Sequence, residues 1–200
     1  MAEPVVLASA SAARAAMLEA AGVPFEVVPA NLDEEALTAA LLAEGADPLR
    51  LADALAEAKA VKVSARMPGR LVLGADTAGR VDGGGWLAKP GTREGLAEQL
   101  RALRGRRHRL VSAAVLARDG AALWRHAGVA TLAVRTFSDV WLAAHVAAVP
   151  EAVLGSVGGY HVEGLGVQLF DAIAGDLWTV RGLPLLAVLA QLRAMGEMPS

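Results

Sequence analysis

Two hundred residues suffice for one domain that buries its own core, and the absence of cysteine excludes disulfide frameworks, zinc–thiolate sites and cysteine nucleophiles, pointing to a reducing, cytoplasmic setting. The 19 Lys and Arg against 21 Asp and Glu leave a net charge of -2, without the basic field of a nucleic-acid-binding protein. A hydrophobic content of 54% looks membrane-like, but the excess is mostly alanine, and charges or Gly/Pro interrupt every long apolar run, so no transmembrane span is expected.

The start, MAEPVVLASAS, has no basic n-region and reads as a mature first strand over Val5 to Ala8 rather than a signal peptide. A small-residue turn and an alanine-rich helix over Ser11 to Ala21 follow, closed by Gly22. Phe25 to Val28 reads as a second strand, and Asn31 or Asp33 can cap a helix over Glu34 to Glu44. Leu49 to Arg66 carries Leu51, Leu55, Ala58 and Val61 on one face, with Lys59 near its polar edge.

Leu71 to Leu73 predicts a buried strand that emerges at Gly74-Ala75-Asp76-Thr77, and Gly83-Gly84-Gly85 a hairpin tip. A helix over Arg93 to Leu103 precedes strands over Arg109 to Ala117 and Ala122 to Thr136, joined by Asp119-Gly120, the strongest hairpin signal in the chain. Ser138 can cap Asp139 to Ala147, a glycine-rich stretch covers Gly155 to Gly166, and Pro184 opens a last helix ending near Met195. Alternating strands and helices plus a long hairpin argue for α/β with a mixed sheet, in one domain over residues 1–200.

The residues able to carry chemistry sit at strand exits. Ser9, Ser11 and Arg14 lie at the first strand-to-helix junction, where backbone N–H groups and the helix end favour an anion, although small residues also simply ease such a turn. Asp76, expected at the carboxyl end of a central strand, can ligate Mg²⁺ and orient a water; a capping aspartate is the plainer reading. Glu34 offers a second carboxylate, although Asp33 and Glu35 beside it look like an ordinary acidic helix start.

Lys59, Lys62 and Lys89 are the only lysines in an arginine-rich chain, and such sparing use suggests point charges for phosphate at Lys59 and Lys89. The basic cluster Arg104 to Arg109 around Gly105 reads as a solvated turn, with His108 a disfavoured catalyst. The glycine spacing at Gly158-Gly159-Tyr160 and Gly164-x-Gly166 is wrong for a dinucleotide fingerprint and fits a tight ligand loop better.

LASAS at Leu7 to Ser11, Arg14, LAEAKA at Leu55 to Ala60, GADT at Gly74 to Thr77, Lys89-Pro90, GRRH at Gly105 to His108, GGYHVEG and GDLWTVRGLPL together resemble the Maf family across essentially the whole chain. The resemblance implies an elongated mixed-sheet fold related to inosine triphosphate pyrophosphatases, with two lobes and a central cleft. It implies a hydrolase of phosphorus-containing acid anhydrides, a nucleoside triphosphate pyrophosphatase dependent on Mg²⁺ or another divalent cation such as Mn²⁺ or Co²⁺, commonly a homodimer with a house-cleaning or septum-linked role.

Carried over by position, the resemblance makes Asp76 the proton acceptor and, with Glu34, the metal site; Ser9, Arg14, Lys59, Lys89 and Thr77 bind substrate, and Glu163 occupies a substrate-facing position in the glycine-rich motif. Two departures bear on base preference: Ala12 and Ala13 replace the proline and first arginine of Ser-Pro-Arg-Arg, and Glu163 stands where better-known members have glutamine. Two rival readings share these residues: a non-catalytic nucleotide-binding regulator of septum formation, and a phosphomonoesterase that would release orthophosphate.

Overall fold

The computed structural model describes residues 3–199, so Met1, Ala2 and Ser200 of the expected domain lie outside the described residues. Strand β1 (Val5–Leu7) is apolar and buried at every position, and it lies between two parallel neighbours, β2 (Phe25–Val27) and β3 (Val72–Val81). Antiparallel pairing then takes over: β3 pairs β4 (Arg107–Arg118), β4 pairs β5 (Ala121–Val134), and β5 pairs β6 (Phe170–Ala174). The sheet order is β2-β1-β3-β4-β5-β6. At the β4–β5 turn, Asp119 and Gly120 take φ of 52° and 77°, the left-handed pair that a two-residue hairpin needs.

Helices α1 (Ala12–Ala20), α2 (Glu34–Ala43), α3 (Pro48–Ser64), α4 (Arg93–Leu103) and α5 (Asp139–Ala148) begin at Ser11, Asp33, Asp47, Thr92 and Ser138, and each of these side chains accepts the N–H three residues on. Such a cap contributes about 1 kcal/mol. The short α6 (Leu177–Val180) is capped likewise by Asp176, while α7 (Leu185–Ala194) starts after Pro184 without a side-chain cap. Two 3₁₀ segments, Glu151–Gly155 and Leu165–Leu169, flank the glycine-rich stretch. None of the helices among the described residues is long and apolar enough to cross a membrane.

Because strand side chains alternate, each row across the sheet has a definite face. On one face Leu51, Ala52, Leu55, Ala56 and Ala60 of α3 pack on Ala78, Val111, Ala113 and Val115. On the other face two cores sit at opposite ends of the long strands. The first joins α1 and α7 to Leu73, Ala75, Ala114 and Leu116. The second joins α4 and α5 to Val81, Leu110, Ala130 and Leu132. The register leaves one row between them, Thr77–Ser112–Gly128, whose first two members are hydroxyl residues.

The strand expected to end near Leu73 runs on to Val81, so Asp76 lies inside β3, paired with Ala113, and not at a strand end. The reason is tertiary: β4 pairs β3 through Val81, overriding the poor strand propensity of Gly74, Asp76 and Gly79. It is β1 that stops, its last partner being Leu73, so β3 has a bare edge from Ala75 onward until Leu87 donates to the Gly79 carbonyl. β6 and α6 correspond to no expected element.

Helix α3 lies unusually close to β3. A Cβ added at Gly74 would fall 2.2 Å from the Ala56 carbonyl oxygen and 2.8 Å from the Ala60 Cβ. Gly74→Ala must therefore push α3 outward, and a destabilisation of about 3 kcal/mol is expected in urea unfolding, at the upper end of overpacking costs. A loss below the scatter of the measurement would show that α3 shifts without cost.

A candidate nucleotide-polyphosphate site astride strand β3

Neighbouring residues of β3 point to opposite faces, so Asp76 and Thr77 build two halves of one site around the bare strand edge. On the α3 face, Lys59 Nζ donates to Asp76 Oδ1 at 2.6 Å and sits 2.9 Å from Glu34 Oε2. The amphipathic pattern put Lys59 near the polar edge of its helix, but the residue is only 5% exposed. Burying an ammonium requires partners, and the two carboxylates supply them. Glu34 reaches in from the first turn of α2, which Asp33 fixes by accepting from Ala36 N–H.

On the opposite face Arg14 is buried and held by three oxygens. Its Nε donates to the Gly182 carbonyl at 2.8 Å, Nη1 to Ser9 Oγ at 3.0 Å and Nη2 to Thr77 Oγ1 at 3.2 Å. Burial pushes the guanidinium below its ordinary value, and the charges of Asp76 and Glu34 oppose that shift, so Arg14 feels both carboxylates across the strand. An arginine remains a cation there. Ser11 caps α1 by accepting from the Arg14 N–H at 3.4 Å. The start of α1 and the guanidinium on one face and the ammonium on the other thus flank the bare edge of β3, an arrangement of positive charge that favours an anion.

The structure brings Ser9, Arg14, Glu34, Lys59, Asp76 and Thr77 together, but joins Lys89 and Glu163 to them less directly. Lys89 is exposed in a loop whose neighbour Ala88 is clamped by Gln99 and accepts from Gly158 N–H, so it lies beside the glycine-rich stretch. Glu163 Oε1 accepts from Arg181 Nε at 3.1 Å, one residue before the Gly182 carbonyl that holds Arg14. Sequence reasoning missed Ser112, Thr179 and Gly182. The one signal at Ser112 is a lone hydroxyl inside the apolar run Leu110 to Ala117, and its meaning depends on the β3–β4 register.

The basic cluster behaves as a solvated turn: Arg104 pairs with Asp139, Arg106 donates to the Asp82 carbonyl, and Arg109 is exposed beside Asp82. His108 is fully buried, hydrogen-bonded through Nε2 to the Tyr160 hydroxyl, in the second core and away from the carboxylates.

The donor chemistry fits a hard cation delivered with a polyphosphate. Two carboxylate oxygens lie within 3 Å of one ammonium nitrogen, and no group of three or more His, Asp or Glu suited to a metal occurs among the described residues. A complete protein cage is thus lacking, whereas Mg²⁺ is commonly held by one or two carboxylates plus phosphate oxygens and water.

Fold and site together define a mixed-sheet α/β protein whose buried cations and their carboxylate and hydroxyl partners gather on β3 where β1 ends. The sequence profile of the family described as Maf-like protein matches residues 4–195, and the chain belongs to that family. It is 53% identical over 195 residues to the nucleoside triphosphate pyrophosphatase of Sphingopyxis alaskensis, covering 98% of both chains. It is 49% identical over 198 residues to the 7-methyl-GTP pyrophosphatase of Mesorhizobium japonicum, covering 99% of both. The solved Ham1 protein of Staphylococcus aureus superposes on 68% of this chain and 73% of its own with a TM-score of 0.36 at 14% identity, too slight a likeness to argue from.

Burial pushes His108 down to about 4, against a smaller opposing pull from Asp82. The unfolded chain then takes up a proton near the ordinary value while the folded chain does not, so stability is lost as pH falls from about 6.5 towards 4. His108→Gln should remove about 2 kcal/mol of the stability lost in urea unfolding between pH 7 and 5, leaving the share of His145, which burial and Arg135 also push down. An identical slope in the variant would contradict this assignment.

Proposed function

We propose that the protein hydrolyses a nucleoside triphosphate to the monophosphate and pyrophosphate. The observation that carries the reading is the pairing of a buried ammonium–carboxylate cluster on one face of β3 with a buried, three-point-held arginine on the other. That arrangement offers cations for the phosphates and a carboxylate for water. The names of the relatives support the same reaction class.

In this mechanism Asp76 orients a water and accepts its proton as the water oxygen bonds to the α-phosphorus. The bond from the α-phosphorus to its bridging oxygen breaks, and that oxygen leaves with pyrophosphate. Lys59 exchanges a carboxylate for a phosphate oxygen and offsets the charge that builds up, while Arg14 holds phosphate oxygens equally before and during the reaction. Ser9 and Thr77 keep the guanidinium aimed, and Lys89 closes on the phosphates from its exposed loop. Mg²⁺ bound with the triphosphate would be held by Asp76 and Glu34 and would supply charge neutralisation and a more acidic water.

The base is the open specificity. Relatives are named both for nucleoside triphosphates in general and for 7-methyl-GTP. Ala13 supplies no charge, and the Glu163 carboxylate is turned to Arg181, so neither residue carries over the base preference of the better-known members. A cytoplasmic enzyme is the fitting setting for a cysteine-free nucleotide hydrolase.

A panel of ordinary and methylated nucleoside triphosphates with Mg²⁺, read for pyrophosphate, monophosphate and orthophosphate together, tests the reading. Pyrophosphate and monophosphate should appear in equal amounts, and Asp76→Asn should lower turnover by about 10³-fold while its circular dichroism is unchanged. Chelation of divalent cations should abolish activity and added Mg²⁺ restore it. Orthophosphate in place of pyrophosphate would indicate the phosphomonoesterase, and nucleotide binding without product the non-catalytic regulator.

A further inference from the structure

The polar row between the two cores closes a ring of hydrogen bonds around Arg14. Ser112 Oγ lies 2.7 Å from the Thr179 carbonyl and 2.8 Å from Thr77 Oγ1. A carbonyl only accepts, so the Ser112 hydroxyl donates to Thr179, and Ser112 Oγ in turn accepts from the Thr77 hydroxyl. The Thr77 oxygen is thereby presented to Arg14 Nη2 as an acceptor. The same Thr179 carbonyl accepts from Gly182 N–H at 3.1 Å, and the Gly182 carbonyl accepts from Arg14 Nε.

Both arms of the ring therefore hang on one carbonyl, which is itself anchored twice. Asp176 accepts from Thr179 N–H at 2.8 Å and from its hydroxyl at 2.6 Å. Gly128 leaves room for the turn: a Cβ there would fall 2.2 Å from Thr179 Oγ1. Ser112 and Thr179 are fully buried, so water does not replace a missing partner.

We infer that Ser112 is a positioning residue for the anion site of Arg14, and that the turn Thr179–Gly182 is the second wall of that site. Three of the five N–H groups of Arg14 are spent on Gly182, Ser9 and Thr77. One N–H on each terminal nitrogen remains, a fork that matches two oxygens of a polyphosphate. Removing the Ser112 hydroxyl frees the Thr77 hydroxyl to rotate, and Arg14 loses the fixed acceptor that aims this fork. The inference rests on the phosphate reading of Arg14 given above, and not on hydrolysis.

The test is a double-substitution cycle read by calorimetric titration with inorganic tripolyphosphate and Mg²⁺, on the full chain. Ser112→Ala and Thr77→Val should each weaken binding by about tenfold. The doubly substituted protein should match Thr77→Val within about twofold, because Ser112 acts through Thr77. In turnover of an accepted nucleotide, Ser112→Ala should raise KM by about tenfold and leave kcat within about threefold, a split that mere destabilisation does not produce.

Unchanged binding in Ser112→Ala, losses that multiply in the double variant, or no binding of tripolyphosphate by the unsubstituted protein would each overturn the inference. If the cycle behaves as expected but no nucleotide is hydrolysed, Ser112 keeps its role and the hydrolase reading fails. If hydrolysis occurs and the losses multiply, the hydrolase reading stands and the role of Ser112 falls.

Discussion

The contact between α3 and the bare backbone of Gly74 is the constraint on which the site depends. With Ala56 and Ala60 nearest to Gly74, the helix lies closer to β3 than a side chain there would allow. Lys59 is then carried over the sheet to a depth at which its ammonium meets Asp76 and Glu34. A buried ammonium with no partner would be driven to neutralise or to leave the interior, and each carboxylate unpaired would repel the other. The cluster is stable only as a set. A polyanion carrying a hard cation can redistribute these charges among more partners than the protein alone provides.

A second constraint comes from unequal strand lengths. β1 is three residues long and β3 is ten, so β3 continues past its parallel neighbour with one edge open. Side chains at consecutive positions then reach the opening from both faces: Asp76 from the α3 face and Thr77 from the other. This is the crevice beyond the carboxyl end of a parallel strand in a different guise. The two apolar cores stop short of the Thr77–Ser112–Gly128 row, and the gap between them lets a cation and hydroxyl groups be buried without interrupting either core.

Local signals in the sequence were reliable where the physics is local. Asp119-Gly120 demands left-handed backbone that few other residues accept, and Ser138 and Asp33 cap helices by bonds reaching three residues ahead. The family motifs marked Arg14, Lys59 and Asp76, which the fold gathers. What was illegible depends on partners distant in sequence. Strand β3 looked finished at Leu73 because Gly74 and Asp76 disfavour strands, yet β4 pairs it for eight further residues. Lys59 reads as lying near the polar edge of its helix because helical periodicity does not register the carboxylates waiting opposite. Glu34 was indistinguishable from Glu35 beside it until α2 was docked. Ser112 and Thr179 owe their meaning to strand register and to a turn of the chain that no motif specifies.

If water guided by Asp76 attacks the α-phosphorus, hydrolysis of the best-accepted nucleotide in heavy-oxygen water, with mass spectrometry of both products, should leave one heavy oxygen in the nucleoside monophosphate and none in the pyrophosphate. Label in the pyrophosphate would place the attack on the β-phosphorus and overturn the role proposed for Asp76 at the α-phosphate.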